Sequence, residues 1–318
     1  MLSELSPIEW KCSPILFLIF NRPDLSQRVF ARIKEAKPQK LYIAADGPRN
    51  DHPDDERLCA EARKVTEKLD WECELHTLYR EENLGCGHAV KTAIDWFFEN
   101  EESGIILEDD CLPDLSFFPY CAELLERYKN DERIGVISGD LFINKSRIKE
   151  SYYFTNFPHM WGWATWKRVW NNYDFNIRDW PKVRHTNMLK RKIGSRYYVE
   201  KWESIFNRTY DGKIDTWDYQ FAFMLFTQNQ LCIAPRVNLV SNIGFDSRAT
   251  HTKNPGDKAS DHKAESIMFP LSHPQEIKID IHKERKDLIF RFGQAPTLSE
   301  RLIKYFKGIK GFFYLNFL

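Results

Sequence analysis

The sequence predicts an α/β protein whose mixed, mainly parallel sheet is flanked by helices, and three observations lead to this prediction. Residues 14–20 (PILFLIF) form an almost continuous apolar run, which is typical of a strand buried on both faces. Apolar runs of this kind alternate with amphipathic segments up to residue 138, in the order expected of βαβ units. Each run ends in polar or turn-forming residues, and ligands collect at that end of the strands in such sheets.

The first half of the chain contains most of the predicted elements. Strands are expected at 14–20, 41–45, 71–79, 104–107 and 134–138, and helices at 25–36, 54–69, 88–100 and 117–129. The 71–79 segment alternates between apolar and polar residues, as an edge strand does. After about Asn144 aromatic residues become dense, and helices are expected at 187–206 and 219–228.

Composition narrows the class of partner and the compartment. The 318 residues include 46 Lys+Arg and 46 Asp+Glu, so the chain lacks the basic surplus of a polynucleotide binder, and nucleic acid is not an expected partner. The seven cysteines are odd in number and form no C-x-x-C pair, which fits free thiols in a reducing compartment. No secretory signal or membrane-spanning window is found, so a cytoplasmic location is expected.

The strongest local signal is the acidic run Glu108-Asp109-Asp110, directly after the apolar strand 104–107. Three consecutive acids at a buried strand end are costly unless a positive group lies against them. A divalent cation that bridges a diphosphate is the natural partner, because hard cations take oxygen ligands. Acids at a strand end also cap helices and solvate turns, but three of them in this α/β order favour a binding site.

Two further motifs also end or begin predicted elements. Asp46 closes the second strand and can accept a hydrogen bond from a ring N–H such as that of uracil, while Arg49 can neutralise phosphate; the Asp-Gly-Pro sequence is equally a plain turn. The segment 82–88 (ENLGCGH) opens a helix, and its glycines, including Gly85, permit a close backbone approach to an anion. Lys91, one turn into that helix, is a candidate phosphate contact, although a bare G-x-G is also common at flexible helix starts.

Candidate catalytic and metal residues lie in the second half. Asp218 follows Trp217 at the start of a predicted helix and is a candidate base for an acceptor hydroxyl, with Asp215 as a nearby rival. A first-turn or N-cap carboxylate is the alternative, and the residues alone favour it. His251 lies in a polar stretch, where it can ligate the metal or meet the pyrophosphate; the residues alone favour a solvent-exposed loop histidine.

The C-terminal segment 302–318 differs from the rest of the chain. It places lysines three residues apart among bulky apolar side chains, so a helix here has a basic stripe opposite a broad apolar face. An amphipathic helix that lies in a membrane surface and a terminal helix docked on the protein body fit this pattern equally.

Together these motifs resemble the GT-A glycosyltransferases, in particular the N-acetylglucosaminyltransferase I-like branch and bacterial nucleotide-diphospho-sugar transferases. The resemblance covers roughly residues 14–251. It rests on an apolar strand that ends in Asn21-Arg22, on Glu108-Asp109-Asp110 in place of Asp-x-Asp, on the segment 158–163 (PHMWGW), and on Trp217-Asp218. The last two match the acceptor-side segment and the Trp-Asp catalytic base of that family.

The resemblance implies a role for each matching residue. It places the metal, usually Mn2+ or otherwise Mg2+, on Asp110, with Glu108 and Asp109 at the ribose or the donor sugar. Asp46 falls where such enzymes bind the nucleobase of the donor. It makes Asp218 the catalytic base of an inverting transfer from a nucleotide sugar, UDP-sugar as the first expectation, to a glycan or lipid-linked glycan. The remaining expected donor contacts are Asn21, Arg22, Arg49, Asn83, Gly85 and Lys91, and the acceptor-side residues are Trp161, Gly162, Trp163 and Trp217.

On this basis we expect a GT-A domain at 1–270, with a nucleotide-sugar half at 12–143 and an acceptor-side half at 144–270, followed by a C-terminal extension at 271–318. The transferred group is expected to be a hexose or an N-acetylhexosamine, in polysaccharide assembly. If 302–318 meets a membrane, the enzyme lies at the inner face of the plasma membrane. Two alternatives stay open: a sugar nucleotidyltransferase, which usually carries a Gly-rich loop where this chain has 21–24 (NRPD), and a non-catalytic sugar- or membrane-binding protein on the same fold.

Overall fold

The computed structural model describes residues 11–143, 149–245 and 262–297. His251 and the predicted C-terminal helix at 302–318 lie outside these residues. The strands of the described part are β1 Ile15–Ile19, β2 Lys40–Ala45, β3 Glu74–Tyr79, β4 Ser103–Glu108, β5 Cys111–Pro113, β6 Ile134–Ser138, β7 Tyr152–Thr155, β8 Trp163–Trp166, β9 Leu231–Pro235 and β10 Val240–Asn242. The helices are α1 Pro23–Ala36, α2 Asp55–Val65, α3 Cys86–Asn100, α4 Phe117–Arg127, α5 Lys167–Trp170, α6 Trp180–Val183, α7 Met188–Ile193, α8 Arg196–Tyr210, α9 Asp218–Thr227 and α10 Ile281–Phe292.

Eight strands form one sheet in the order β3-β2-β1-β4-β8-β6-β9-β7, and β10 pairs with β5 in a small second sheet. The pairs β3–β2, β2–β1, β1–β4 and β6–β9 are parallel, whereas β8 and β7 run against their neighbours. The predicted fold class, a mixed and mainly parallel sheet flanked by helices, is confirmed.

The register of the parallel strands brings the predicted polar motifs to one edge of the sheet. Ile19 pairs with Ala45, and Leu18 pairs with Glu108. Every residue of β1 is buried, as the apolar run predicted, so the chain emerges at this edge directly into the start of α1. The residues that follow β1, β2 and β4 therefore surround one crevice.

The second half of the chain extends the same sheet. β8 lies antiparallel between β4 and β6, with Ala164 opposite both Ile105 and Ile137. The sheet thus takes strands from both predicted halves. The aromatic density after residue 144 concealed β7 and β8, because fully buried strands such as these show no alternation to predict them from.

Two predicted helices differ from the structure. The single helix expected at 187–206 is wrong, because α7 ends before Gly194, whose φ of 74° is incompatible with a continuous helix. The helix expected at 54–69 ends already at Val65. No helix among the described residues is long and apolar enough to cross a membrane.

The interior has a main core around the sheet and a second cluster among the helices of the second half. The second cluster is built largely of aromatic side chains, including Trp180, Trp202, Phe206 and Phe226. Leu288 of α10 is buried in it. α10 therefore belongs to the folded body, although it falls within the predicted C-terminal extension.

Candidate active site

Two adjoining cavities lie at the carboxyl edge of the parallel strands. The first, of about 310 Å³, is lined by the residues that follow β1 and β2 and by the start of α3. The second, of about 550 Å³, is lined by residues 213–219, Met160, Trp161 and Asp110. Both cavities share the lining residues Arg22, Cys86, Glu108 and Asp215. The acidic run therefore lies where the two cavities meet.

One guanidinium faces three carboxyl groups at this junction. Arg22 forms an ion pair with Asp109, and its Nη2 lies 3.0 Å from Oδ2 of Asp110. Burial, followed by repulsion from the two aspartates, raises the pKa of Glu108 to about 8. Burial likewise raises the pKa of Asp109 to about 6, although Arg22 opposes the shift. Arg22, predicted as a donor contact, thus holds two of the acidic residues, and within residues 11–143, 149–245 and 262–297 it is the one cation that pairs with them.

The residues fit a divalent cation that takes few ligands from the protein. Across the three described ranges no three His, Cys, Asp or Glu side chains are arranged to hold one metal ion. Magnesium-like ions are commonly held by one or two carboxylates together with substrate phosphates, so Asp110 alone suffices as a protein ligand. A Cβ atom on Gly244 would collide with the Asp110 carboxylate, so this position has room only for glycine. The assignment of the metal to Asp110 stays a prediction.

Asp55 organises one wall of the first cavity and was not predicted from the sequence. Its carboxylate is 2% exposed and accepts hydrogen bonds from Asn21 Nδ2 at 2.7 Å and from Arg49 Nε at 2.6 Å. Burial by itself would raise the pKa of Asp55, but hydrogen bonds from Arg49 and Asn21 lower it to about 2. Arg49 lies 5.4 Å from the centre of the Phe20 ring. Asp55 therefore holds in place Asn21 and Arg49, two residues that were predicted as donor contacts.

Asp46 joins two loops at the cavity wall. Its carboxylate accepts hydrogen bonds from Asn83 Nδ2 at 3.0 Å, from Leu84 N at 3.1 Å and from Gly47 N at 3.0 Å. Burial raises the pKa of Asp46, and the backbone donors partly offset this rise. The predicted donor residues Asp46 and Asn83 thus form a single unit beside the first cavity, although the two lie on different loops.

Arg80 lines the first cavity but was not predicted from the sequence. Lys91 was predicted as a donor contact but lies outside both cavities. Arg80 lines the first cavity and donates from Nη2 to Thr92 Oγ1 at 2.7 Å. Among residues 11–143, 149–245 and 262–297 no carboxylate lies within ion-pair distance of Arg80, although Asp46 of the same cavity attracts its charge from further away. Lys91 is not among the residues that line either cavity, and its ammonium pairs with Asp95.

The N-terminus of α3 holds a carboxylate of the chain itself. Asp215 accepts hydrogen bonds from Cys86 N at 3.0 Å and from Gly87 N at 2.9 Å. The sequence predicted an anion at this helix start, but the anion found there is a side chain 128 residues further along. Gly85 lines the first cavity beside it.

The acceptor-side residues separate into two groups. Trp161 and Trp217 line the second cavity with Asp218, the first residue of α9. Oδ1 of Asp218 accepts hydrogen bonds from Thr216 Oγ1 and, at 2.8 Å, from Tyr219 N. Gly162 and Trp163 line neither cavity; the Trp163 ring is buried in the core and stacks on Trp217 at 5.3 Å. Trp163 therefore supports the cavity wall from behind.

No protein-family model matches this sequence, and no curated protein does. Among solved structures, a mannosyltransferase from Pyrobaculum calidifontis in complex with GDP-Man and Mn2+ is similar at 13% identity and a TM-score of 0.34, over 69% of this chain and 70% of that one. A UDP-glucose pyrophosphorylase complexed with UDP-glucose is similar at 13% identity and a TM-score of 0.35, over 70% of this chain and 90% of that one. A cytidylyltransferase from Leptospira borgpetersenii is similar at 13% identity and a TM-score of 0.31, over 61% of this chain and 73% of that one. Likenesses of this size assign no residue role, so the function is inferred from the cavities themselves.

Proposed function

We propose that this chain is a metal-dependent, inverting glycosyltransferase that moves a hexose or N-acetylhexosamine from a nucleotide sugar, UDP-sugar as the first candidate, to an acceptor hydroxyl. The observation that carries the proposal is the meeting of two cavities at an acidic junction, where Arg22 is the one guanidinium of the described residues that pairs with the acids. One cavity offers polar and cationic groups suited to a nucleotide. The other holds a carboxylate suited to act as a base.

The first cavity supports binding of the nucleoside diphosphate. Asp46 and Asn83 present hydrogen-bonding groups at its wall, as recognition of a base or ribose requires. Arg80 and Arg49 line the same cavity. Arg80 suits a phosphate, since guanidinium groups bind phosphate in a bidentate manner, whereas Arg49 already forms a bidentate pair with Asp55 and has only its remaining nitrogen to offer. A divalent cation held by Asp110 and the diphosphate would neutralise charge on the departing nucleoside diphosphate.

We assign to Asp218 the role of taking the acceptor proton. Thr216 Oγ1 and Tyr219 N both donate hydrogen bonds to Oδ1 of Asp218, which leaves Oδ2 for the acceptor hydroxyl. In the transfer, the acceptor oxygen bonds to the anomeric carbon from the face opposite the departing oxygen. The bond to the diphosphate breaks, and the acceptor proton passes to Asp218.

The proposal is tested by measuring sugar transfer and nucleotide-sugar binding separately. Asp218→Asn is expected to bind the donor as the wild type does while transfer falls by about 100-fold or more. Asp110→Asn is expected to lose the Mn2+-dependent thermal stabilisation by the donor, which reaches about 2.7 kcal/mol at 100 times the dissociation constant. Asp211→Asn, an exposed carboxylate seven residues before Asp218 that pairs with Lys213, is the matched control and should change neither measurement. Wild-type transfer by Asp218→Asn would disprove the assignment of the base.

The same assays distinguish the two alternative functions. A sugar nucleotidyltransferase releases pyrophosphate from a nucleoside triphosphate and a sugar 1-phosphate, and it does not require an acceptor hydroxyl. A binding protein shifts its melting temperature with a nucleotide sugar but neither transfers nor hydrolyses it in Mn2+. Either result would replace the proposed reaction.

The acceptor is proposed to be a glycan or a lipid-linked glycan at the inner face of the plasma membrane, with segment 302–318 at the membrane surface. Sedimentation of the full chain with vesicles of phosphatidylglycerol and phosphatidylcholine tests this step. Binding that is lost when Lys304, Lys307 and Lys310 are changed together to glutamate would support it. Absence of binding by the wild-type chain would reject the membrane contact and leave the transfer reaction untouched.

A further inference from the structure

Asp215 occupies the boundary between the two cavities. It is exposed to them, and it lies three residues before Asp218 on the segment that leads into α9. Two backbone N–H groups at the start of α3 hold its carboxylate, one on each oxygen. The orientation of this carboxylate is therefore fixed by a different element from the one that carries it.

This contact leaves little room for a side chain at either glycine around Cys86, and the φ of 77° at Gly85 independently favours glycine there. A Cβ atom on Gly85 would stand 3.0 Å from Asp215 Oδ2, and one on Gly87 would stand 2.8 Å from Asp215 Oδ1. A side chain at Gly87 would also approach Thr216 O to 2.9 Å. The G-x-G sequence thus makes room for residues 215–216 of the chain, which is a different role from direct contact with a donor phosphate.

The negative charge of Asp215 at the start of α3 determines which kind of ligand group can bind there. A free helix N-terminus attracts phosphate, but here the carboxylate of Asp215 already takes the N–H groups and repels a second anion. Glu108 and Cys86 line both cavities together with Asp215. A neutral group that donates hydrogen bonds fits at Asp215, since each carboxylate oxygen keeps a lone pair after accepting one N–H.

We propose that Asp215 is a specificity-determining residue that accepts hydrogen bonds from ring hydroxyls of the transferred sugar. This inference rests on the proposed function. The sugar of a bound donor has to lie between the diphosphate at the acidic junction and the catalytic carboxylate of Asp218. Asp215 lines both cavities, the first with Arg22 and the second with Arg22 and Asp218. The carboxylate holds the sugar and rejects a second phosphate at the same place.

The test compares each nucleotide sugar with its own nucleoside diphosphate. Affinities for UDP, UDP-glucose, UDP-galactose, GDP and GDP-mannose are measured in Mn2+ by calorimetry on the wild type and on Asp215→Asn. The preference for the best nucleotide sugar over its diphosphate is expected to fall about tenfold or more in the variant, because a hydrogen bond to a charged acceptor is lost. Affinity for the diphosphate alone is expected to change by less than about threefold.

A purely structural role of Asp215 predicts a different result. If Asp215 only caps α3, the diphosphate and its sugar ester lose affinity equally, their ratio stays unchanged, and the assignment is overturned. Asp215→Ser provides a second variant in case the first is unstable, since serine also accepts backbone N–H bonds at helix starts but carries no charge. If the wild type prefers no nucleotide sugar over its diphosphate and transfers none, the proposed function fails and this inference fails with it.

Discussion

The chain contains two clusters of acidic side chains that use similar groups and balance them differently. At the cavity junction, Glu108, Asp109 and Asp110 face one guanidinium, that of Arg22. This cluster opens into both cavities, and among the described residues its carboxyl groups outnumber the cations that pair with them.

The second cluster is closed and balanced. Asp140 and Asp287 face His159 and Arg291 in the interior between α10 and the segment before β8. His159 Nε2 lies 2.9 Å from Asp287 Oδ1, and Arg291 Nε donates to Asp287 Oδ2 at 2.9 Å. With His159 protonated, two carboxylates meet two cations, so no further ion is needed.

This difference shows how a binding site and a structural ion cluster can be distinguished. A closed, balanced cluster stabilises the docking of one element, here α10, onto the body. An open cluster with unbalanced charge gains its missing cation from solution or substrate. We expect changes in the closed cluster to affect mainly stability, and changes in the open cluster to affect mainly binding.

The largest expected effect is on stability, from Asp287→Ala. Removing one partner of a buried ion cluster leaves Arg291 and protonated His159 without their carboxylate, so the free energy of unfolding should fall by about 3–5 kcal/mol. Urea denaturation followed by circular dichroism measures this. Asp280→Ala removes the N-cap of the same helix, whose carboxylate accepts from His282 N at 3.0 Å, and should cost only about 1 kcal/mol. Equal losses for the two variants would show that the buried cluster contributes nothing beyond an ordinary cap.

A smaller effect is expected from Asp55→Asn at the wall of the first cavity. The hydrogen bonds to Arg49 and Asn21 weaken, so the free energy of unfolding should fall by about 2 kcal/mol and nucleotide affinity should drop. The folded-state pKa of Asp55 is lowered to about 2. Its contribution to the free energy of unfolding is therefore fully present above the ordinary pKa of aspartate and is lost as pH falls through the folded-state pKa. Acid titration of both proteins measures this difference, and parallel acid-unfolding curves would contradict it.

The pH dependence of the closed cluster provides a third comparison. Burial opposes protonation of His159, but Asp287 and Asp140 outweigh it and raise its pKa, against the effect of Arg291. A raised folded-state pKa stabilises the fold below the ordinary pKa of histidine, and this stabilisation is lost as pH rises through the folded-state value. Urea denaturation from pH 5 to 9 should therefore show a downward slope that is shallower in His159→Gln; the slope that remains includes the raised pKa values of Glu108 and Asp109. An equal slope in the two proteins would reject the protonated cluster.

The smallest expected effect on stability comes from Asp110→Asn in the open cluster. Arg22 keeps Asp109, and repulsion among the three acids decreases, so the free energy of unfolding should change by less than about 1 kcal/mol. The same variant should lose Mn2+-dependent donor binding, as proposed above. A stability loss as large as that of Asp287→Ala would show that the junction is a structural cluster and would remove the contrast between the two.

The first half of the fold was predictable because its signals are local. Buried parallel strands appear as apolar runs, and 14–20, 41–45 and 104–107 correspond to β1, β2 and β4 within one or two residues at each end. The polar residues that end them reach one edge of the sheet because parallel strands share a direction. The strands β7 and β8 were missed because their dense aromatic residues give no period.

The sequence by itself determined the fold class and which residues end the strands of the parallel sheet, since hydrophobic period and turn chemistry depend on near neighbours in the chain. Only the tertiary structure decided the partners of those residues. Asp55 holding Asn21 and Arg49, and Asp215 capping α3 from 128 residues away, are contacts between distant segments. No local pattern encodes such contacts, because a carboxylate that binds a cation, caps a helix or accepts a hydroxyl is the same side chain until the fold supplies its neighbours.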